Sequence, residues 1–167
     1  MRLRTQTASA GFTLVEAMVA AAVSALFLSS LFAMNLASME TIRSAKESTA
    51  ASQALQQRME SLRIANWHEV TDAVWLRDNL LNTDVPGAAQ LKNLVETVTL
   101  VPYGSATLGN TQLTRANGTP SIVNQNSNLL AENAVKIIWT VSYTGAPNDH
   151  AAARQIVAIL AKGGVAK

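Results

Sequence analysis

The chain has 167 residues and a net charge of +2, and only 14% of its residues are charged and 5% aromatic. This length suits one domain, and the small, uneven charge does not suggest a nucleic-acid-binding protein. Arg2 and Arg4 account for the whole excess, because the rest of the chain carries eleven basic and eleven acidic residues. The absence of cysteine excludes disulfide bonds, thiolate metal sites and cysteine nucleophiles.

Residues 17–39 form an apolar run of 23 residues without a charge. As a helix, this run would be about 35 Å long, which is enough to cross the hydrocarbon core of a bilayer. Because Arg2 and Arg4 precede it, the positive-inside rule predicts that the amino terminus lies in the cytoplasm. The remainder of the chain would then lie across the membrane.

A single acid, Glu16, stands at the start of this run. An ionised side chain is unfavourable by about 3 kcal/mol at the centre of a membrane helix, and by less near its end. Thr13 and Glu16 match the capping box, in which a hydroxyl and a carboxylate bond the free amides of a helix start, and capping alone is one explanation of the acid. A secretory signal peptide or an uncleaved signal anchor would explain the apolar run but not the acid.

The sequence GFTLVE at 11–16 lies behind a short basic leader and ahead of an apolar run of membrane length. It resembles the class III signal of type IV pilins and pseudopilins. The resemblance implies that prepilin peptidase cuts the bond between Gly11 and Phe12 and methylates the new amino terminus on Phe12. It also implies that Glu16 pairs with the amino-terminal amine of a neighbouring subunit, or with its own, during assembly. The carboxylate would thereby gain the partner that an ion in an apolar medium requires.

The same resemblance implies an organisation of the chain. Residues 1–11 would be a basic leader, residues 12–39 a transmembrane and filament-core segment, and residues 40–167 a globular head that includes the second half of the helix. The protein would cross the bacterial inner membrane once, with its head in the periplasm. It would then join other pilin or pseudopilin subunits in a pilus or pseudopilus, through an assembly platform and its ATPase.

Two features bear on the kind of subunit. Many filament-forming pilins carry a proline within the apolar segment, whereas the first proline of this chain is Pro86. The sequence ALQQRMESLR at 54–63 and the closing LAKGG at 160–164 are similar to those of minor pilins and of the minor pseudopilins of type II secretion. The resemblance therefore favours a minor subunit.

The helical pattern continues beyond the apolar run. No glycine or proline occurs between residues 12 and 85, so one helix is predicted from about Phe12 to Ile64. Small residues at 48–52 predict close or weak packing there, and the charged residues are expected largely off the apolar face. That face is predicted to consist of Leu36, Met39, Ile42, Ala45, Ser52, Leu55, Met59 and Leu62.

The remaining chain contains three predicted strands. A turn with one or two short helices is expected at 66–85, and strands are expected at 94–101, 135–144 and 155–162. Residues 102–133 are rich in Gly, Asn, Ser and Thr and predict a long loop, with a weak hairpin at the Asn117-Gly118 pair. The predicted fold class is α+β, in which the long amino-terminal helix packs on a three- to four-stranded antiparallel sheet, as the resemblance to pilins also implies.

No enzyme site is predicted. His68 and Asp72 are two potential ligands at helical spacing, but two ligands do not make a metal site. Asn124, Asn126 and Asn128 imitate the start of a calcium loop, yet that loop's glycine and closing glutamate are missing. Neither a cofactor nor a metal is therefore expected. The alternative function is a signal-anchored periplasmic protein that binds a ligand or partner through residues 102–134.

Overall fold

The computed structural model describes residues 13–104, 109–146 and 149–163. These residues fall into two compact units, one up to Glu40 and one from Thr41 onward. The helices are α1 Leu14–Ile64, α2 Trp67–Thr71 and α3 Ala73–Trp75, which continues into a π-helix at Leu76–Leu81; short 3-10 turns lie at Ala88–Gln90 and Leu129–Ala131. The strands are β1 Lys92–Pro102, β2 Thr111–Ala116, β3 Thr119–Asn124, β4 Ala134–Gly145 and β5 His150–Ala161.

The long helix has the predicted extent. Its sequence is rich in alanine, leucine and methionine, which have high helix propensity, and its end at Ile64 agrees with the prediction. Just beyond, the Asn66 backbone N–H donates to Glu69 Oε2 at 2.7 Å. This bond caps the start of α2 and turns the chain into the short helices predicted before Pro86.

The sheet contains five strands in the order β3-β2-β1-β4-β5, and every neighbouring pair is antiparallel. The α+β class, with the long helix packed on an antiparallel sheet, is confirmed. The strand count exceeds the predicted three to four because much of the predicted long loop is the β2–β3 hairpin. Asn117 and Gly118 take φ values of 51° and 79°, as the tight turn of a two-residue hairpin requires.

The core lies within the second unit, between α1 and one face of the sheet. Alternate residues of β4 point into it, and all five are buried as the period-two pattern predicted; they are Val135, Ile137, Trp139, Val141 and Tyr143. Opposite them, Ala50, Ala51 and Ala54 are at most 3% exposed. A Cβ built on Gly87 would come within 3.0 Å of the Ala50 Cβ, which confirms close packing at the small residues of α1.

The predicted apolar face of α1 needs two corrections. Its first members, from Leu36 to Ala45, are exposed, and burial begins only at Glu47. In addition, Glu47 and Arg58 are not on the solvent side: they are 4% and 3% exposed. Both side chains find polar partners in the loops and strands of the sheet layer, which a helical pattern by itself does not reveal.

Candidate functional site

The start of α1 is held by the predicted capping box. The Thr13 backbone N–H and hydroxyl both donate to Glu16 Oε2, at 3.0 and 3.1 Å. In return, the Glu16 backbone N–H donates to Thr13 Oγ1 at 3.3 Å. These bonds satisfy amides that have no partner within the helix, and they use a single carboxylate oxygen of Glu16.

The two residues of the predicted cleavage site, Gly11 and Phe12, lie outside the described residues. Their roles therefore remain predictions from the sequence. Of the three residues to which the resemblance assigns a role in processing or assembly, the structure describes the surroundings of Glu16.

The first 29 residues of α1, 14–42, are all exposed. By length and composition this part of the helix could cross a membrane, and its most apolar 18-residue stretch contains no buried residue. Burying such a surface is worth about 25 cal/mol per Å² of apolar area, so this segment gains stability from an apolar environment outside the chain. The large exposed side chains are Leu14, Val15, Met18, Val19, Val23, Leu26, Phe27, Leu28, Leu31, Phe32, Met34, Leu36, Met39 and Ile42.

Hydroxyl groups within this segment are satisfied by the helix itself. Each of the four serines donates to a backbone carbonyl one turn earlier, at 2.8 to 2.9 Å. A hydroxyl bonded in this way presents little polarity to its surroundings, which suits a helix surface that meets lipid or other apolar helices. The serines are Ser24, Ser29, Ser30 and Ser38.

A buried ion cluster was not predicted from the sequence. Glu96 on β1 is completely buried and accepts from Arg58 Nε and Nη2, at 2.9 and 3.0 Å, and from Arg115 Nη1 at 3.0 Å. Arg115 also bonds the carboxylate of Asp84, and the Arg58 guanidinium lies 5.8 Å from the centre of the Trp139 ring. The sequence contains one signal of this cluster: Glu96 lies on the same face of β1 as the apolar Val98 and Leu100, so an acid stands at a position where the strand pattern predicts burial.

A second buried acid joins α1 to the turn between β4 and β5. Glu47 Oε2 accepts from the Ala146 backbone N–H at 2.8 Å, and Oε1 accepts from Arg43 Nε at 3.1 Å. Both carboxylate oxygens therefore have a donor, as a buried charge requires. The contact fixes the end of the β-hairpin on the helix and is structural.

The structure gives the surroundings of the side chains considered for metal binding. His68 and Asp72 line a polar surface cavity with Asn126 and other uncharged residues. Asn126 Nδ2 donates to the Gly109 carbonyl at 2.6 Å, and Asn124 Nδ2 donates to Asn110 Oδ1 at 2.9 Å, so these asparagines brace the loop ends. Among residues 13–104, 109–146 and 149–163, no group of three His, Cys, Asp or Glu side chains could hold a metal ion.

The amino-terminal part of the chain is similar to a known protein family. Residues 7–32 match the family model described as "Prokaryotic N-terminal methylation motif". No curated protein and no solved structure matches the chain significantly. The motif and the long apolar helix together suggest membrane anchoring, processing by prepilin peptidase and assembly with other pilins, and they point to a structural subunit rather than an enzyme. Residues 7–32 are thus a prepilin-type methylation motif, and with the helix-on-sheet fold they support a type IV pilin-like protein.

Proposed function

We propose that the chain is a structural subunit of a type IV pilus or of a type II secretion pseudopilus, most consistent with a minor subunit. Prepilin peptidase would cut between Gly11 and Phe12 and methylate Phe12, and the subunit would assemble through α1. One observation carries the proposal: the methylation motif at 7–32 overlaps the first part of α1, whose large apolar side chains between residues 14 and 42 are exposed.

Two environments can supply that cover in succession. Before assembly, residues 12–39 would span the inner membrane once, with residues 1–11 in the cytoplasm and residues 40–167 in the periplasm. After assembly, the same segment would pack against the corresponding helices of neighbouring subunits. The bilayer and the neighbouring helices are both apolar, so the same side chains can be buried in either of them.

Glu16 would set the register of that packing. A carboxylate surrounded by apolar helices requires a cation or strong donors, and cleavage after Gly11 would create a positively charged amine on Phe12. The capping bonds to Thr13 use Glu16 Oε2, so the same carboxylate can cap its own helix and accept from an amine at Oε1. Capping and charge pairing are therefore compatible roles.

Co-expression with prepilin peptidase tests the processing step. Intact mass and amino-terminal sequencing should find a chain that begins with methylated Phe12, whereas without the peptidase the chain should begin at Met1. A Gly11→Leu variant is the matched control and should stay uncut in both conditions. A wild-type chain that keeps Met1, or that begins after Ala33, would contradict the proposal.

Two substitutions at Glu16 separate its two roles. Glu16→Ala removes both the charge and the capping acceptor, while Glu16→Gln keeps an oxygen for Thr13 and removes the charge. If charge pairing guides assembly, both variants should be cut normally and both should be missing from sheared filaments when the assembly machinery is present. Normal incorporation of Glu16→Gln would show that capping is the role that matters.

A further inference from the structure

The two edges of the sheet differ in how they are protected. A free strand edge presents unpaired N–H and C=O groups that can pair with another chain, and proteins usually block such edges with short strands, charges or proline. The β3 edge is blocked in this way: β3 has six residues, and one of them is Pro120, which has no N–H. The β5 edge is twelve residues long, about 40 Å, and contains no proline.

The β5 edge is also apolar. In the described part of the chain β5 has one neighbouring strand, β4, so the other side of residues 151–161 is open. Val157 and Ile159 point away from α1 and are 49% and 52% exposed. β-branched residues at such positions pair well with β-branched or aromatic residues on an adjacent strand, and the edge therefore suits an extended apolar segment.

The charged side chains on β4 and β5 are all basic, and the acidic Asp149, directly before β5, is paired with Lys92 at 3.3 Å. Arg154 lies on β5, Lys162 follows the strand directly, and Lys136 is opposite Ile159 on β4. Neither β4 nor β5 contains an acidic residue. A segment with acidic side chains would therefore be attracted to this edge, and a basic one repelled.

The same charges disfavour a second copy as the occupant. Antiparallel pairing of two β5 strands centred on Ala158 would set Arg154 of each copy opposite Lys162 of the other.

The direction of β5 is a second obstacle to pairing with a second copy. The earlier part of β5 lies beside the earlier part of α1, because Arg154 Nη2 donates to Ser48 Oγ at 2.6 Å. The later parts also lie together, because Leu160 and Leu62 line the same cavity. The strand β5 therefore runs in the same direction as α1. Antiparallel copies would place their Thr41 ends on opposite sides.

We propose that the β5 edge binds an extended segment of another protein as a sixth strand, and that this segment carries acidic side chains beside its apolar ones. The backbone groups of residues 151–161 would supply the pairing, as in other cases of strand addition. Val157 and Ile159 would supply apolar contacts, and the three cations would select the partner by charge. The inference rests on the proposed function in one respect only: a membrane-anchored helix is what makes the opposite directions of two copies an obstacle.

Hydrogen exchange of the full chain in detergent, with a defined peptide, tests the proposal. The peptide is acetyl-Glu-Val-Thr-Val-Thr-Val-Glu-amide, and its counterpart has lysine in place of both glutamates. The acidic peptide should slow amide exchange in β5 and leave β3 unchanged. Val157→Ser combined with Ile159→Ser removes the apolar contacts without changing the charge and should weaken the apparent affinity about tenfold. Val123→Ser on the β3 edge is the matched control and should leave the affinity unchanged.

Three results would overturn the proposal. The first is unchanged β5 exchange at saturating acidic peptide, with β1 and β4 still protected as evidence of a folded sheet. The second is equal protection by the lysine peptide, which would remove the charge selection. The third is β5 protection that rises with protein concentration in the absence of peptide, which would identify a second copy as the occupant.

Discussion

Replacing Glu96 by glutamine should destabilise the domain more than any surface substitution. The side chain has no solvent exposure and accepts three hydrogen bonds from two arginines, each between 2.9 and 3.0 Å. Glutamine has nearly the same shape, so the packing of β1 against α1 is retained. The change removes the negative charge and leaves Arg58 and Arg115 buried without it.

The expected magnitude follows from that loss. Removing one partner of a buried ion pair costs about 3–5 kcal/mol, because an uncompensated charge remains in the interior. Bonds from Arg58 to the Thr83 hydroxyl and carbonyl, at 3.0 and 2.7 Å, hold that guanidinium in place and prevent it from reaching water. For a domain of this size, the loss corresponds to a fall in Tm of roughly 10–20 °C.

Urea unfolding of the full chain in detergent, followed by near-ultraviolet circular dichroism, measures the effect. Asp84→Asn is the matched control, because Asp84 also bonds Arg115 but its side chain is 86% exposed. Exposed ion pairs contribute about 0–1 kcal/mol, so this variant should unfold near the wild-type midpoint. A loss below about 1 kcal/mol for Glu96→Gln would refute the view that the cluster depends on its central charge.

Two further substitutions test the contacts of α1, again by urea unfolding. Gly87→Ala should lower the free energy of unfolding by about 2–4 kcal/mol, because φ is 83° and the new Cβ would lie 3.0 Å from the Ala50 Cβ. Gly118 has a similar φ but open space around it, so Gly118→Ala should lower it by only about 1–2 kcal/mol. Equal losses in the two variants would argue against a steric effect at Gly87. Glu47→Ala should cost about 1–3 kcal/mol and speed amide exchange at Ala146, whereas Glu60→Ala, in an exposed ion pair, should have almost no effect.

The sequence predicted those elements whose periodicity is set by one dominant environment. The helix to Ile64 followed from an unbroken run of helix-forming residues. The inward face of β4, from Val135 to Tyr143, followed from strict alternation, because one side of the strand meets the core and the other meets solvent. The capping box was predictable since it depends on two residues three positions apart, Thr13 and Glu16.

The features that were missed depend on contacts between distant parts of the chain. Arg58 and Glu96 are 38 residues apart, so each by itself resembles a solvent-exposed charge. The hairpin at 111–124 was interpreted mainly as a loop because its residues are polar. β2 nevertheless buries Leu113 and Arg115, and Arg115 is held by its ion pair with the buried Glu96. The burial of Arg115 depends on a contact with β1 that the polar composition of the hairpin does not reveal.

The two parts of α1 differ in the exposure of their apolar side chains. In the second unit, α1 buries Leu55, Met59 and Leu62 together with the alanines at 50, 51 and 54. A Cβ built on Gly87 would lie 3.0 Å from the Ala50 Cβ. Between residues 14 and 42, the Leu, Phe, Met, Val and Ile side chains are all exposed. Exposed apolar side chains in this number favour association in water, and together with the methylation motif this segment suggests membrane anchoring. The methylation motif at 7–32 belongs to this uncovered segment, so processing and assembly would act on the same surface of the protein.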